Sequence, residues 1–102
     1  MANAAVAVSS SGDNNIVSAP GAGKFIRVDG YVLKVKAAVD VKWKSGSTDL
    51  TGVMGLNSTD SGIAVSNAVQ DGWFDCGINE ALVLNLSGAV AVGGHVKYRV
   101  MG

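Results

Sequence analysis

Val39-Asp40-Val41-Lys42-Trp43-Lys44 alternates apolar with charged side chains over six residues. That period of two marks a strand with one face in a core and the other in water. Leu82, Leu84 and Leu86 repeat the beat with Asn85 opposed to them. Val96, Tyr98 and Val100 repeat it again, interleaved with Lys97 and Arg99. Three separate runs agree, so Val, Leu and Trp are assigned to the interior and Lys and Arg to the outside.

The stretch from Lys24 to Lys36 is longer and changes phase. Ile26 and Val28 are the apolar set before Gly30; Tyr31, Leu33 and Val35 are the set after it. A slip of one residue sends every later side chain to the other face. The flip therefore predicts a β-bulge at Gly30, or a strand that crosses between two sheets there.

Turn residues punctuate the rest: Ser11-Gly12-Asp13-Asn14-Asn15, Pro20-Gly21-Ala22-Gly23, Ser45-Gly46-Ser47, Asn57 to Gly62, Asp71-Gly72 and Gly93-Gly94. Between them lie nine candidate strands, at residues 4–9, 15–18, 24–36, 39–44, 52–57, 62–65, 71–74, 81–86 and 95–101. Seven or eight true strands are expected, the rest being extended loop. Ala64 to Gln70 reads equally as helix or strand. Many short strands at this spacing predict an all-β fold, a single-domain antiparallel β-sandwich of the jelly-roll kind. Residues 21–102 are assigned to that domain and residues 1–20 to an extended N-terminal arm.

The composition agrees. A chain of 102 residues has room for one domain, and Val, Ala and fourteen Gly dominate it while aromatics are few. Eight basic and eight acidic side chains cancel, which argues against a nucleic-acid backbone as the main partner. Met1 to Val8 is apolar but has no basic residue ahead of it. It also falls well short of the roughly twenty residues that span a bilayer, so synthesis in the cytoplasm and no membrane association are expected.

Chemistry is hard to place on this sequence. Cys76 is the single cysteine, so it forms no intrachain disulfide and reads as a small buried hydrophobe. Gly21-Ala22-Gly23-Lys24 looks like part of a phosphate-binding loop. However, Ser18 stands where the first Gly belongs, Phe25 replaces the hydroxyl, and a strand follows instead of a helix. His95, the single histidine, lacks a marked hydroxyl or carboxylate partner. It belongs to the outward face of its strand. Asp71 and Asp75 could be paired as glycosidase carboxylates, but too few aromatics remain to line a sugar groove. Asn57-Ser58-Thr59 fits a glycosylation acceptor, which matters only in a secreted eukaryotic protein. No enzyme activity, cofactor or metal is expected.

Contacts are better supported than chemistry. Lys34, Lys36, Lys42 and Lys44 lie on two successive strands, and pairing of these as a hairpin would project all four from one outer face. From Asp49 to Glu80 there are five acidic residues and no basic one. Trp73 and Phe74 are adjacent, so one of the two must leave the core. Exposed aromatics are enriched at interfaces. Trp73, Phe74, the four lysines and His95 form the candidate interface set.

Gly23-Lys24-Phe25-Ile26-Arg27-Val28, Val41-Lys42-Trp43-Lys44-Ser45-Gly46 leading to Leu50-Thr51-Gly52, Gly72-Trp73-Phe74, and Glu80 to Ser87 with Gly93-Gly94-His95-Val96 form an ordered series. It resembles small structural proteins of tailed-bacteriophage virions, from Lys24 to the end of the chain. The resemblance implies a sandwich that decorates the outer capsid as a homotrimer, with the major capsid protein as partner and the virion surface as location. A tail or fibre component that attaches to host carbohydrate is the alternative it leaves open. It carries over no catalytic residue. A small hydrolase or isomerase on the same scaffold is disfavoured by the lack of a histidine cluster.

Overall fold

The computed structural model describes residues 2–59, 61–65 and 72–102. These form ten strands and no helix: β1 (Ala2–Val8), β2 (Gly12–Val17), β3 (Phe25–Val35), β4 (Val39–Ser45), β5 (Thr48–Asp49), β6 (Met54–Leu56), β7 (Gly62–Val65), β8 (Phe74–Asp75), β9 (Leu82–Leu86) and β10 (Val92–Met101). All strand pairs are antiparallel. One sheet, called A below, has the order β1-β10-β3-β7, with β8 also beside β3. The other, sheet B, runs β2-β9-β4-β5, with β6 also beside β4. Each sheet is thus four positions wide, and the strand order is that of a jelly roll.

The three alternating runs land as read. Val39, Val41 and Trp43 from β4 and Leu82, Leu84 and Leu86 from β9 face Ile26, Val28, Leu33 and Val35 of β3 and Val96 of β10 in one core. Trp43 is fully buried and meets Tyr31 edge-on, with ring centroids 5.3 Å apart. Burial of the Tyr31 ring also pushes its phenol pKa up. Val100 departs from its run and is exposed. Its neighbour β1 begins at Ala2, opposite Tyr98, so no described strand residue flanks it on that side.

The phase flip in β3 is a bulge. Lys97 of β10 pairs with Gly30 and Tyr98 with Val28, which leaves Asp29 as the extra residue. Its carboxylate is buried and takes two hydrogen bonds from Arg99, at 2.7 and 2.9 Å. A buried carboxylate needs such a partner to offset its desolvation.

Four expectations are corrected. Of the expected arm at residues 1–20, residues 2–17 are instead built into the sandwich, because β1 pairs with β10 and β2 with β9, closing one side of each sheet. Ala4, Val6 and Val8 alternate too, but small residues make that pattern faint. Next, β3 and β4 do not pair as a hairpin. Both edges of β3 are taken by β10 and by β7 and β8; those of β4 are taken by β9 and by β5 and β6. The short connection between them crosses from one sheet to the other. Third, Gly93-Gly94 is not a turn but lies inside β10, and of the turn signal at Ser11 to Asn15 all but Ser11 lie in β2. Lastly, all nine candidate segments contain strand, and the two-residue β5 is an addition. The ambiguous residues 66–70, Asp71 and the turn residue Asp60 lie outside the described residues.

Six of the strand pairings also nest, and only β3 with β10 and β4 with β9 cross them. Ser45 faces Thr48, Val41 faces Met54, Lys34 faces Gly62, Val28 faces Phe74, Asn15 faces Val83 and Ala2 faces Tyr98.

Candidate interaction surface

Sheet register sets which side chains share an outer face. On sheet A, Ala5, His95, Val32 and Ala64 stand level across β1, β10, β3 and β7. Ala7, Gly93, Lys34 and Gly62 form the next row. Tyr31, Leu33 and Val35 are buried between these positions, so strand alternation turns both rows outward. The result is a flat field of small side chains around Val32, which is 36% exposed. Two shallow hollows border it. One, of about 330 Å³, has Ala7, Lys36 and Gly93 in its wall. The other, of about 270 Å³, lies among Val32, Lys34, Gly62 and Ala64.

Toward the other end of the same face the side chains become large and paired. Arg27 grips Asp75 with two hydrogen bonds, at 2.8 and 3.1 Å, and its guanidinium lies over the Phe25 ring. Arg99 and Asp29 repeat the motif beside it, and that carboxylate raises the Arg99 pKa further. Trp73 is exposed in this half, while its neighbour Phe74 packs on the core against Tyr31. The adjacent aromatics divide as strand geometry demands.

Sheet B is dressed differently. The Lys44 ammonium lies 3.1 Å from both oxygens of Asp13, and the Asn85 amide donates to that carboxylate at 2.7 Å. The Asn85 hydrogen bond first, and then Lys44, hold the Asp13 carboxyl below its ordinary range. Lys42 pairs with Asp49 at 3.2 Å. Exposed pairs such as these contribute little stability, yet they neutralise the face from within. Even the outward-facing Val83 is buried beneath them.

The candidate interface set is therefore split. Lys34 and His95 lie on the outer face of sheet A, and Lys36 lies at its rim. Lys42 and Lys44 lie on the opposite face of the sandwich, already paired. Among the described residues Lys34, Lys36 and Lys97 form no ion pair. The acidic stretch is partly consumed inside the fold, since Asp49 and Asp75 each hold a basic side chain. Asp71, the proposed partner of Asp75, lies outside the described residues. Among the described residues no cluster of three His, Cys, Asp or Glu could hold a metal ion.

One polar cluster has no announcement in the sequence, because 35 residues separate its parts. Ser45 donates to Glu80 at 2.6 Å and accepts from the Gly77 N–H at 2.8 Å, tying residues 76–81 to the end of β4. Ser45 is 2% exposed and no imidazole adjoins it, as His95 sits on the far side of sheet A. Nucleophilic chemistry has no access there.

Cys76 is beside this cluster and buried. Burial, against a weaker contact from Ser45, pushes its thiol from 9.0 up to about 11. The fold thus favours the neutral thiol, while the unfolded chain ionises near pH 9. Stability is untouched below that and falls as pH rises from about 9 to about 11, by at most roughly 2–3 kcal/mol. Urea unfolding at about pH 8 and about pH 11 should show a smaller alkaline loss for Cys76→Ala than for the wild type. Equal losses would place the effect elsewhere.

Comparison with protein-family models, with curated proteins and with solved structures finds no match.

Proposed function

We propose that this chain is a non-enzymatic structural protein of a bacteriophage virion, a decoration protein that docks on the outer capsid as a homotrimer and stabilises the shell. The observation that supports this reading is the contrast between the two outer faces. Sheet B neutralises its own charges and suits water. The half of sheet A around Val32 offers small side chains interleaved with His95 and Lys34 and bordered by Lys36 and Lys97, with no acidic residue in its two rows. Small side chains on a rigid sheet lose little entropy on docking. A basic rim favours a partner with an acidic surround. A shell repeats the contact many times, so each one can be modest.

Co-sedimentation with shells of the encoding phage, assembled without this protein, tests the reading. Wild type should bind and raise the temperature at which the shells open. Val32→Glu, at the centre of the face, should weaken binding on the order of tenfold or more, and Lys42→Gln on sheet B should leave it unchanged. Absence of binding, or equal loss in both variants, overturns the proposal. The exposed Trp73 favours a second reading, attachment to carbohydrate at a tail or fibre. Glycan binding that disappears in Trp73→Ala would support it.

A further inference from the structure

Four strand edges bound the two sheets, and three carry features that discourage pairing with another chain. β2 has the charged Asp13 and a register slip at Ile16. The edge beside β4 is broken into β5 and β6, of two and three residues. The edge beside β3 is divided between β7 and β8, of four and two residues. The fourth edge is β1, Ala2-Asn3-Ala4-Ala5-Val6-Ala7-Val8, seven residues with no charge and no proline. Its register with β10 is unbroken. One side of this strand is a bare row of backbone donors and acceptors.

We propose that β1 is a seam of self-association, pairing antiparallel with β1 of a second copy about a two-fold axis at Ala5. That axis sets Ala5 against Ala5, Ala4 against Val6 and Asn3 against Ala7 of the second copy. Inward residues then meet inward ones, and the core of each sandwich, with half-buried Ala4 and Val8 at its flank, continues into the other. The outward set, Asn3, Ala5 and Ala7, is small enough to let the strands close. Other edges fit β1 less well. β2 would bring its bulge and Asp13, and β7 is shorter by three residues. An uncharged strand meets its own copy without repulsion. A two-fold normal to the sheet turns both outer faces of sheet A the same way, so the pair presents one continuous surface. The seam stands on β1 alone and does not depend on docking to a shell; within the docking reading it lies between subunits of neighbouring trimers, not inside one trimer.

Engineered cysteines test the register. Opposed Cα atoms in an antiparallel pair are about 4.5–5.5 Å apart, within disulfide reach, and the native Cys76 is buried. Under mild oxidation Ala5→Cys should give a covalent two-copy species. Asn3→Cys and Ala7→Cys should give none alone, and should cross-link when mixed. Ala5→Lys should weaken association several-fold by light scattering, since like charges meet across the axis. No Ala5→Cys cross-link, or cross-linking of Asn3→Cys alone to the same extent, overturns the seam. So does a three-copy particle lacking the cross-link, though it leaves the docking reading standing. A cross-linked pair that ignores shells does the reverse.

Discussion

Gly94→Ala is expected to destabilise the fold by on the order of 4 kcal/mol. Gly94 has φ 147°, a region L-residues avoid, and an added Cβ would be driven into the backbone carbonyl of Val32 on β3. That obstacle is main chain inside a paired sheet, so no rotamer change relieves it. The strands would have to separate where sheet A is widest. The adjacent Gly93 is the control. A Cβ there meets only the Val6 carbonyl, at 3.9 Å, an ordinary contact. Gly93→Ala should lie within about 1 kcal/mol of wild type, on the stabilising side, because alanine narrows the unfolded ensemble. Urea midpoints of the two variants measure the difference, and similar midpoints would refute the steric argument.

Trp43→Ala should cost about 3–5 kcal/mol. Trp43 is the largest fully buried side chain and lies between the sheets, so removing it leaves a cavity rigid strands cannot fill. Its indole nitrogen is buried and has no hydrogen-bond partner among the described residues. Trp43 therefore contributes chiefly through packing, with a weak polar contact to the Tyr31 phenol that works against the effect of burial there. Trp43→Phe keeps an aromatic edge near Tyr31 and removes the buried indole N–H. Its cost should be far smaller, about 1–2 kcal/mol. Thermal unfolding of both checks this. A phenylalanine variant as unstable as the alanine one would mean that the indole N–H has a partner.

These two positions also show what could be read in advance. Trp43 was legible because Val39, Val41 and Trp43 alternate with charges, and a period of two survives any tertiary arrangement that buries one face. The bulge was legible for the same reason, since a change of parity can only be absorbed locally. Gly94 was misread as a turn residue. A glycine pair has the same local signal in a turn as in a strand pressed against another backbone, and only the neighbour decides. The lysine face failed in a similar way. Lys34 and Lys42 are close in sequence, but the choice between a hairpin and a crossing connection depends on β10 and β9, which lie far along the chain. The split of Trp73 from Phe74 followed from alternation, though not which of the two would be outside. The small-residue face was hidden because Ala5, Val32, Ala64 and His95 come from four distant segments, none distinctive alone.

The nested pairings have a consequence for how the chain acquires its shape. Starting at the Ser45–Thr48 turn, each successive pair encloses the one before it, out to Ala2 and Tyr98. Each step closes only the few residues beyond the last, so its entropic cost stays that of a short loop although the final contacts join the two ends. The chain can zip from its middle outward, and β1 and β10 meet last. The last pair to form is the first to fray, so β1 should be the earliest segment to exchange its amide protons. A strand that arrives late and leaves early has most to gain from a second neighbour.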